Sequence, residues 1–370
     1  MTAGAIAVLA GSGSISPARL RLLLTHHDPS DAVERLVSGA PLHPMFVRGL
    51  PPGKLKLYRE RVRAASLDEA AAACERHGVS VLALGDDRYP GTLASDPEAP
   101  AALFIRGDLA SLADRRVGIV GTRHASAAGR ATAADLGAAL SAESVAVVSG
   151  LARGIDAAAH RGVRSGAGPG RAVAVVGSGP DVPYPKANAD LWEWVATDGL
   201  LISEWPPGVS PDAWRFPQRN RILAALSEVL VVVESRERGG SLITARAAAD
   251  RGIDVMAVPG SPRSRASAGT NQLLVDGVAP VTSADDVLVA LGLDHRRQGT
   301  LPFDPRPIPD DVQQLVLEAC EEQPSTVDMI VAVTGLSVTE AALCAARLEG
   351  SGWLVEAGGW FEPLGSRLCG

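Results

Sequence analysis

The chain has 370 residues, 46% hydrophobic and 21% charged, with a formal net charge of −7. That length suggests more than one folded unit, and the composition is globular rather than disordered. No N-terminal basic-apolar signal pattern is present and no apolar run nears the ~20 residues a bilayer helix needs, so a cytoplasmic protein with no membrane partner is expected. In chain order, Leu20–Leu24 and Ala32–Val37 are short apolar-periodic stretches around Asp28-Pro29-Ser30, a compact helical unit ending near Arg63. A helix over Leu67–His77 and a strand over Val79–Leu84 precede a connection rich in Pro and Asp.

From Arg115 the pattern turns regular. Strands are predicted at Val117–Val120, Val145–Ser149, Ala172–Val176, Leu200–Ser203, Val229–Val233 and Val255–Val258. Helices are predicted between most of them, at Ala127–Leu140, Ile155–Arg164, Ala189–Ala196, Asn220–Ser227 and Leu242–Arg251. Such alternation predicts an α/β, Rossmann-like, doubly wound parallel sheet with its ligand at the strand C-termini. Residues 295–309 are proline-rich and aperiodic, hence a linker. Beyond it come three short helices, Val312–Cys320, Val327–Val333 and Val338–Leu348. A hairpin signal follows, with Trp353-Leu354-Val355 and Trp360-Phe361 flanking Gly358-Gly359. Three helices and a two-stranded wing make a winged helix-turn-helix.

The four cysteines are scattered, with no C-x-x-C pair, which argues against disulfides and a zinc site. No G-x-G-x-x-G with a distal acid and no G-x-x-x-x-G-K-[ST] occurs, so neither a dinucleotide cofactor nor a Walker-type nucleotide site is expected, and no cofactor or metal is expected. Charge is unevenly spread: residues 1–65 carry +5, residues 66–304 carry −5 and residues 305–370 carry −7. Local arginines therefore say more about a polyanionic partner than the total does.

The junctions after the predicted strands are rich in Gly, Ser, Thr and Arg. Thr122 and Arg123 follow the first, and Ser149, Gly150 and Arg153 the second. Arg219, Asn220 and Arg221 are expected at or near the first turn of a helix, with Phe216 just before it. Gly240, Ser241 and Thr244 belong to the start of another helix, where unpaired N–H groups favour an anion. Glycine at a strand–helix turn also serves any Rossmann-type sheet. Single-strand binding calls for a positive groove and an aromatic surface. Arg123, Arg153, Arg219 and Arg221 supply candidate charge and Phe216 a ring, although Phe216 fits a core anchor equally well. Tyr184 and Trp214 are further stacking candidates, with packing the better reading for Trp214. Asp156 and His160, four apart on a helix, read as capping and internal hydrogen bonding before acid–base chemistry.

The ordered motifs GTR (121–123), SGLARGIDAAAH (149–160), YPKAN (184–188), SEWPPG (203–208), FPQRNRI (216–222), GGSLITA (239–245), AVPG (257–260) and SAGTNQLL (267–274) resemble the DNA-processing protein A (DprA/Smf) family. They span about residues 85–290. Two small departures are Gly177-Ser178-Gly179-Pro180-Asp181 in the loop before Tyr184, and Gly239 where members usually have serine. The resemblance implies a helical, SAM-like domain over residues 1–65, a Rossmann-like DNA-binding domain over 66–294, the linker, and a winged helix over 310–370. It implies single-stranded DNA as ligand, RecA recombinase as partner, a homodimer, a role in natural transformation and recombination, and no catalysis. A more remote resemblance to lysine-decarboxylase-like nucleoside-monophosphate phosphoribohydrolases makes an enzyme the alternative. This chain lacks the second glycine spacing and the acidic residue of that signature, with Ala247 three places after Thr244.

Overall fold

A computed structural model describes residues 2–13, 15–166, 168–293 and 306–364. The chain divides into two compact units, Met1–Asp294 and His295–Gly370. Most of the predicted linker, residues 295–305, lies outside the described residues.

The first unit is built on a nine-stranded sheet. Its strands are β1 (Ser80–Ala83), β2 (Ala102–Gly107), β3 (Arg115–Val120), β4 (Val145–Ser149), β5 (Ala172–Val176), β6 (Leu200–Ser203), β7 (Val229–Val232), β8 (Asp254–Ala257) and β9 (Ala279–Pro280). Their order is β1-β2-β6-β5-β4-β3-β7-β8-β9. From β6 to β9 every pairing is parallel, whereas β2 runs antiparallel to both β6 and β1. The six strands predicted between Val117 and Val258 are all present, and Val79–Leu84 contains β1. The sheet gains β2, which lies between β1 and β6, and β9, which forms the opposite edge.

Strand side chains alternate between two apolar layers, as a period of two requires. Val117, Ile119, Val145, Val147, Val229 and Val231 pack with helices Ala127–Ala142 and Ile155–Ser165 on one face. Val120, Val148, Val173, Val175, Leu230 and Val232 pack on the other face with Ile222, Leu223 and Leu226 of helix Arg215–Leu226 and Ala245 and Ala248 of helix Gly240–Ala249. Coverage on both faces explains why these strands read as unbroken apolar runs.

The N-terminal helices build a third apolar cluster that joins the sheet through Ala102 and Phe104 of β2, and Leu67 and Cys74 of helix Leu67–Arg76 belong to it. Helix Thr2–Gly11, absent from the predicted elements, runs through this cluster with Gly4 through Ala10 all buried.

In the second unit, helices Asp311–Glu322, Val327–Thr334 and Val338–Gly350 enclose a small core of Val316, Leu317, Ile330, Ala345, Leu348 and Leu354. The hairpin pairs β10 (Leu354–Ala357) with β11 (Trp360–Pro363). Its two-residue turn uses Gly358 at φ 61° and Gly359 at φ 86°, the left-handed pair that a tight hairpin needs. Ser325 bridges to Phe361 and ties the hairpin to the helices.

Candidate nucleic-acid interface

Strand order reverses around β3. Strands β4 to β6 extend to one side of it, and β7 to β9 to the other. The loops leaving β3 and β7 therefore diverge and leave a crevice beyond their C-terminal ends, the usual ligand position of an open parallel sheet. A cleft of about 520 Å³ lies there. Gly121, Thr122, Arg123 and His124 line it after β3, and Arg236, Arg238, Gly239, Gly240 and Ser241 after β7. Phe216, Arg219, Asn220 and Leu223 of helix Arg215–Leu226 close a third side, with Tyr184 beside them.

Helix Gly240–Ala249 opens into this cleft. Its N-cap, Gly239, is extended and has no side chain to cap the helix, and Gly239, Gly240 and Ser241 line the cleft, so the uncapped helix start lies beside it. Ser241 is buried and donates its hydroxyl to Ser235 Oγ at 2.9 Å, while Thr244 is buried beneath it. Gly240 is exposed. The backbone, rather than these hydroxyls, is what the helix start offers an anion.

Rings and cations meet on the opposite wall. The exposed Arg123 guanidinium lies over the Phe216 ring, 4.9 Å from its centroid. Phe216 in turn packs against Tyr184, with centroids 5.4 Å apart and planes inclined by 32°. Phe216 is half-buried on the cleft wall and Tyr184 is 42% exposed, so both present ring surface at the cleft.

Arg219 and Arg221 are placed otherwise than the sequence suggested. The helix begins at Arg215, because Pro217 fits its first turn, where an N–H has no partner in any case. Residues 219–221 therefore lie in the second turn. Arg219 is 4% exposed and donates to the carbonyls of Gly150 (2.9 Å) and Val175, and its Nε to Asn220 Oδ1 at 3.0 Å. Asp156 lies 3.8 Å from the guanidinium. Burial holds the Arg219 guanidinium down to about 10 and pushes the Asp156 carboxyl up, an effect the nearby guanidinium opposes. Arg219 is thus a buried tie between the ends of β4 and β5 and the cleft-wall helix. Arg221 points away from the cleft into an ion pair with the buried Glu204. Glu204 itself is pushed up by burial, with Arg221 opposing.

Of the twelve residues singled out from the sequence, the cleft brings together Thr122, Arg123, Phe216, Arg219, Asn220, Gly240, Ser241 and Thr244. Ser149, Gly150, Arg153 and Arg221 lie outside its lining. Ser149 is buried and donates to Ile119 O at 2.6 Å. Gly150 is glycine for a packing reason: a Cβ there would stand 2.0 Å from the Arg219 guanidinium. Arg153 is exposed on the turn after β4.

Two cations were missed. Arg236 and Arg238 are exposed at the cleft rim, in the turn between β7 and Gly239. Arg236-Glu237-Arg238, immediately ahead of the glycine-led helix start, was the available signal. His160, the other half of the Asp156 pair, is wholly buried, and burial pushes its imidazole down to about 4. It is neutral near pH 7 and has no access to the cleft.

Residues 80–292 match the family model of DNA recombination-mediator protein A. The chain belongs to that family. Relatives of this recombination mediator include the DNA processing protein DprA of Streptococcus pneumoniae, 40% identical over 226 residues, which are 61% of this chain and 79% of the relative. The crystal structure of DprA from the same species superposes with a TM-score of 0.66 at 32% identity, covering 78% of this chain and 98% of its own. DNA processing protein A of Helicobacter pylori, a structure described for its single-stranded DNA binding mode, gives a TM-score of 0.53 at 26% identity over 58% of this chain and 96% of its own.

Proposed function

We propose that this recombination mediator binds single-stranded DNA in the cleft between the ends of β3 and β7. The observation that carries the reading is the pairing of exposed cations with partly exposed rings at one switch point: Arg123, Arg236 and Arg238 beside Phe216 and Tyr184. Cations follow a phosphate backbone of any sequence, and rings stack on any base. The single-stranded DNA binding mode described for the Helicobacter pylori relative supports the same ligand. Arg123, Asn220 and the Gly240 helix start contact phosphates, Phe216 stacks on a base, and Arg219 holds the wall without touching DNA.

Around this function we place the finer organisation: a SAM-like helical domain, a doubly wound Rossmann-like core, a linker and a winged helix. In the same reading the protein acts in the cytoplasm as a homodimer. It protects incoming strands and helps load RecA during natural transformation and recombination. It performs no catalysis. Among the described residues, the two carboxylates that line the cleft are both engaged: Asp156 faces Arg219, and Asp212 accepts from the Trp214 indole N–H. Their engagement favours binding over the phosphoribohydrolase reading.

Competition between strands tests the proposal. A labelled single-stranded oligonucleotide bound to the protein is displaced by unlabelled single strand or by duplex of equal length. The single strand is expected to displace at the lower concentration, and the double substitution Arg236→Ala/Arg238→Ala to weaken binding. Equal displacement by duplex, or unchanged affinity in the double variant, contradicts the proposal; release of base from nucleoside monophosphates contradicts its non-catalytic part.

A further inference from the structure

Trp214 is an exposed ring whose position packing alone does not explain. Its side chain is 45% exposed, although an indole is among the costliest apolar surfaces to leave in water. Yet it is held firmly. Its Nε1–H donates to Asp212 Oδ2 at 2.8 Å, and its ring meets the buried Trp205 edge-on at 6.1 Å and 84°. The Arg215 guanidinium sits 5.2 Å from the Trp214 centroid and 5.5 Å from that of Trp205. Arg215 is itself anchored by donation to Ser210 O. Trp214 is the N-cap residue of the cleft-wall helix, and its neighbours Asp212, Ala213 and Phe216 line the cleft.

We propose that Trp214 is a second base-stacking platform, which carries the single strand beyond the Phe216–Tyr184 pair. This rests on the single-strand reading of the cleft. The chemistry of the indole selects the ligand. Its one hydrogen-bond donor is occupied by Asp212, so only a ring face is on offer, and a face recognises another flat ring without regard to sequence. The Asp212 carboxylate beside it repels phosphate. The strand therefore runs with its phosphates toward Arg123 and the Gly240 helix start, and with a base turned to Trp214. Pinning the indole in advance lowers the ordering cost of stacking.

The test uses the full chain, oligo(dT) strands of increasing length, and an abasic deoxyribose-phosphate strand of equal charge. Oligo(dT) is expected to quench the part of the tryptophan emission that Trp214→Phe removes. Trp214→Ala is expected to weaken long oligo(dT) on the order of tenfold with an unchanged salt slope, since one stacked base and no phosphate contact is lost. Trp214→Phe retains a ring and is expected to keep most of the affinity. Short strands that end at Phe216, and the abasic strand, are expected to bind Trp214→Ala and wild type alike. Wild-type affinity of Trp214→Ala for long oligo(dT) overturns the proposal and leaves the cleft reading intact. An equal loss on the abasic strand overturns it as well, because it marks a purely structural role. Failure of the wild-type protein to bind any strand removes the cleft reading and this inference together.

Discussion

A guanidinium as buried as Arg219 has lost its water and is stable only because carbonyls and a carboxylate surround it. Removing it strips the desolvated Asp156 carboxyl of its nearest guanidinium and leaves the Gly150 and Val175 carbonyls without their donor. Arg219→Ala is therefore expected to lose about 3–5 kcal/mol of stability in denaturant unfolding, as breaking a buried pair does, while the salt slope for DNA stays at its wild-type value. A stable variant with a flattened slope would return Arg219 to the phosphate-binding set. The residue type was legible in FPQRNRI and the role was not, yet the helix phase held the answer. Arg219, Ile222, Leu223 and Leu226 fall at i, i+3, i+4 and i+7, and all four are buried. An arginine in the apolar stripe of a helix faces the protein. Arg123 reads the other way: it follows its strand in a turn, with no apolar periodicity to draw it inward, and it is exposed.

Elements were legible where their pattern was pure. Strands β3 to β8 are short apolar runs, and the sheet that buries both their faces leaves that mark directly in the sequence. Strand β2 follows a Pro- and Asp-rich connection and β9 is two residues long, too little for periodicity to register. Helix Thr2–Gly11 was hidden for the opposite reason: it is apolar all round, so it has no polar face to reveal a helical period. The sequence expects a helix to open at Gly239-Gly240-Ser241, and helix Gly240–Ala249 starts there with no side-chain cap, which gives a test at this scale. A Cβ at Gly240 meets nothing within 4 Å, so a side chain fits there. Gly240→Asp puts a carboxylate where the proposed strand has a phosphate. It is expected to raise stability by about 0.3–1 kcal/mol through the helix dipole and to lower single-strand affinity. Unchanged or tighter DNA binding in that variant would mean that the helix start holds no phosphate.

Over the whole molecule, regional charge misleads. The N-terminal 65 residues carry +5, but much of that charge already serves the fold. Arg19, Arg35, Arg59, Arg61 and Arg63 donate to main-chain carbonyls of the same helical region, and Arg21 donates to Pro97 O. The C-terminal region carries −7, and its third helix has Arg347 as its one cation, poor electrostatics for reading a duplex. The cations of the proposed site are local to the cleft, where two loops of a reversed strand order bring Arg123 together with Arg236 and Arg238 across more than a hundred residues of sequence. Only the folded sheet makes that juxtaposition, which is why the β3 side was found in the sequence and the β7 rim was missed. The most direct measurement is a salt titration of single-stranded oligonucleotide binding by wild type, Arg123→Ala and Arg236→Ala. Each substitution removes one phosphate contact and is expected to flatten the slope of log affinity against log salt by about 0.7. Wild-type affinity and slope in both variants would show that the strand does not run through this cleft.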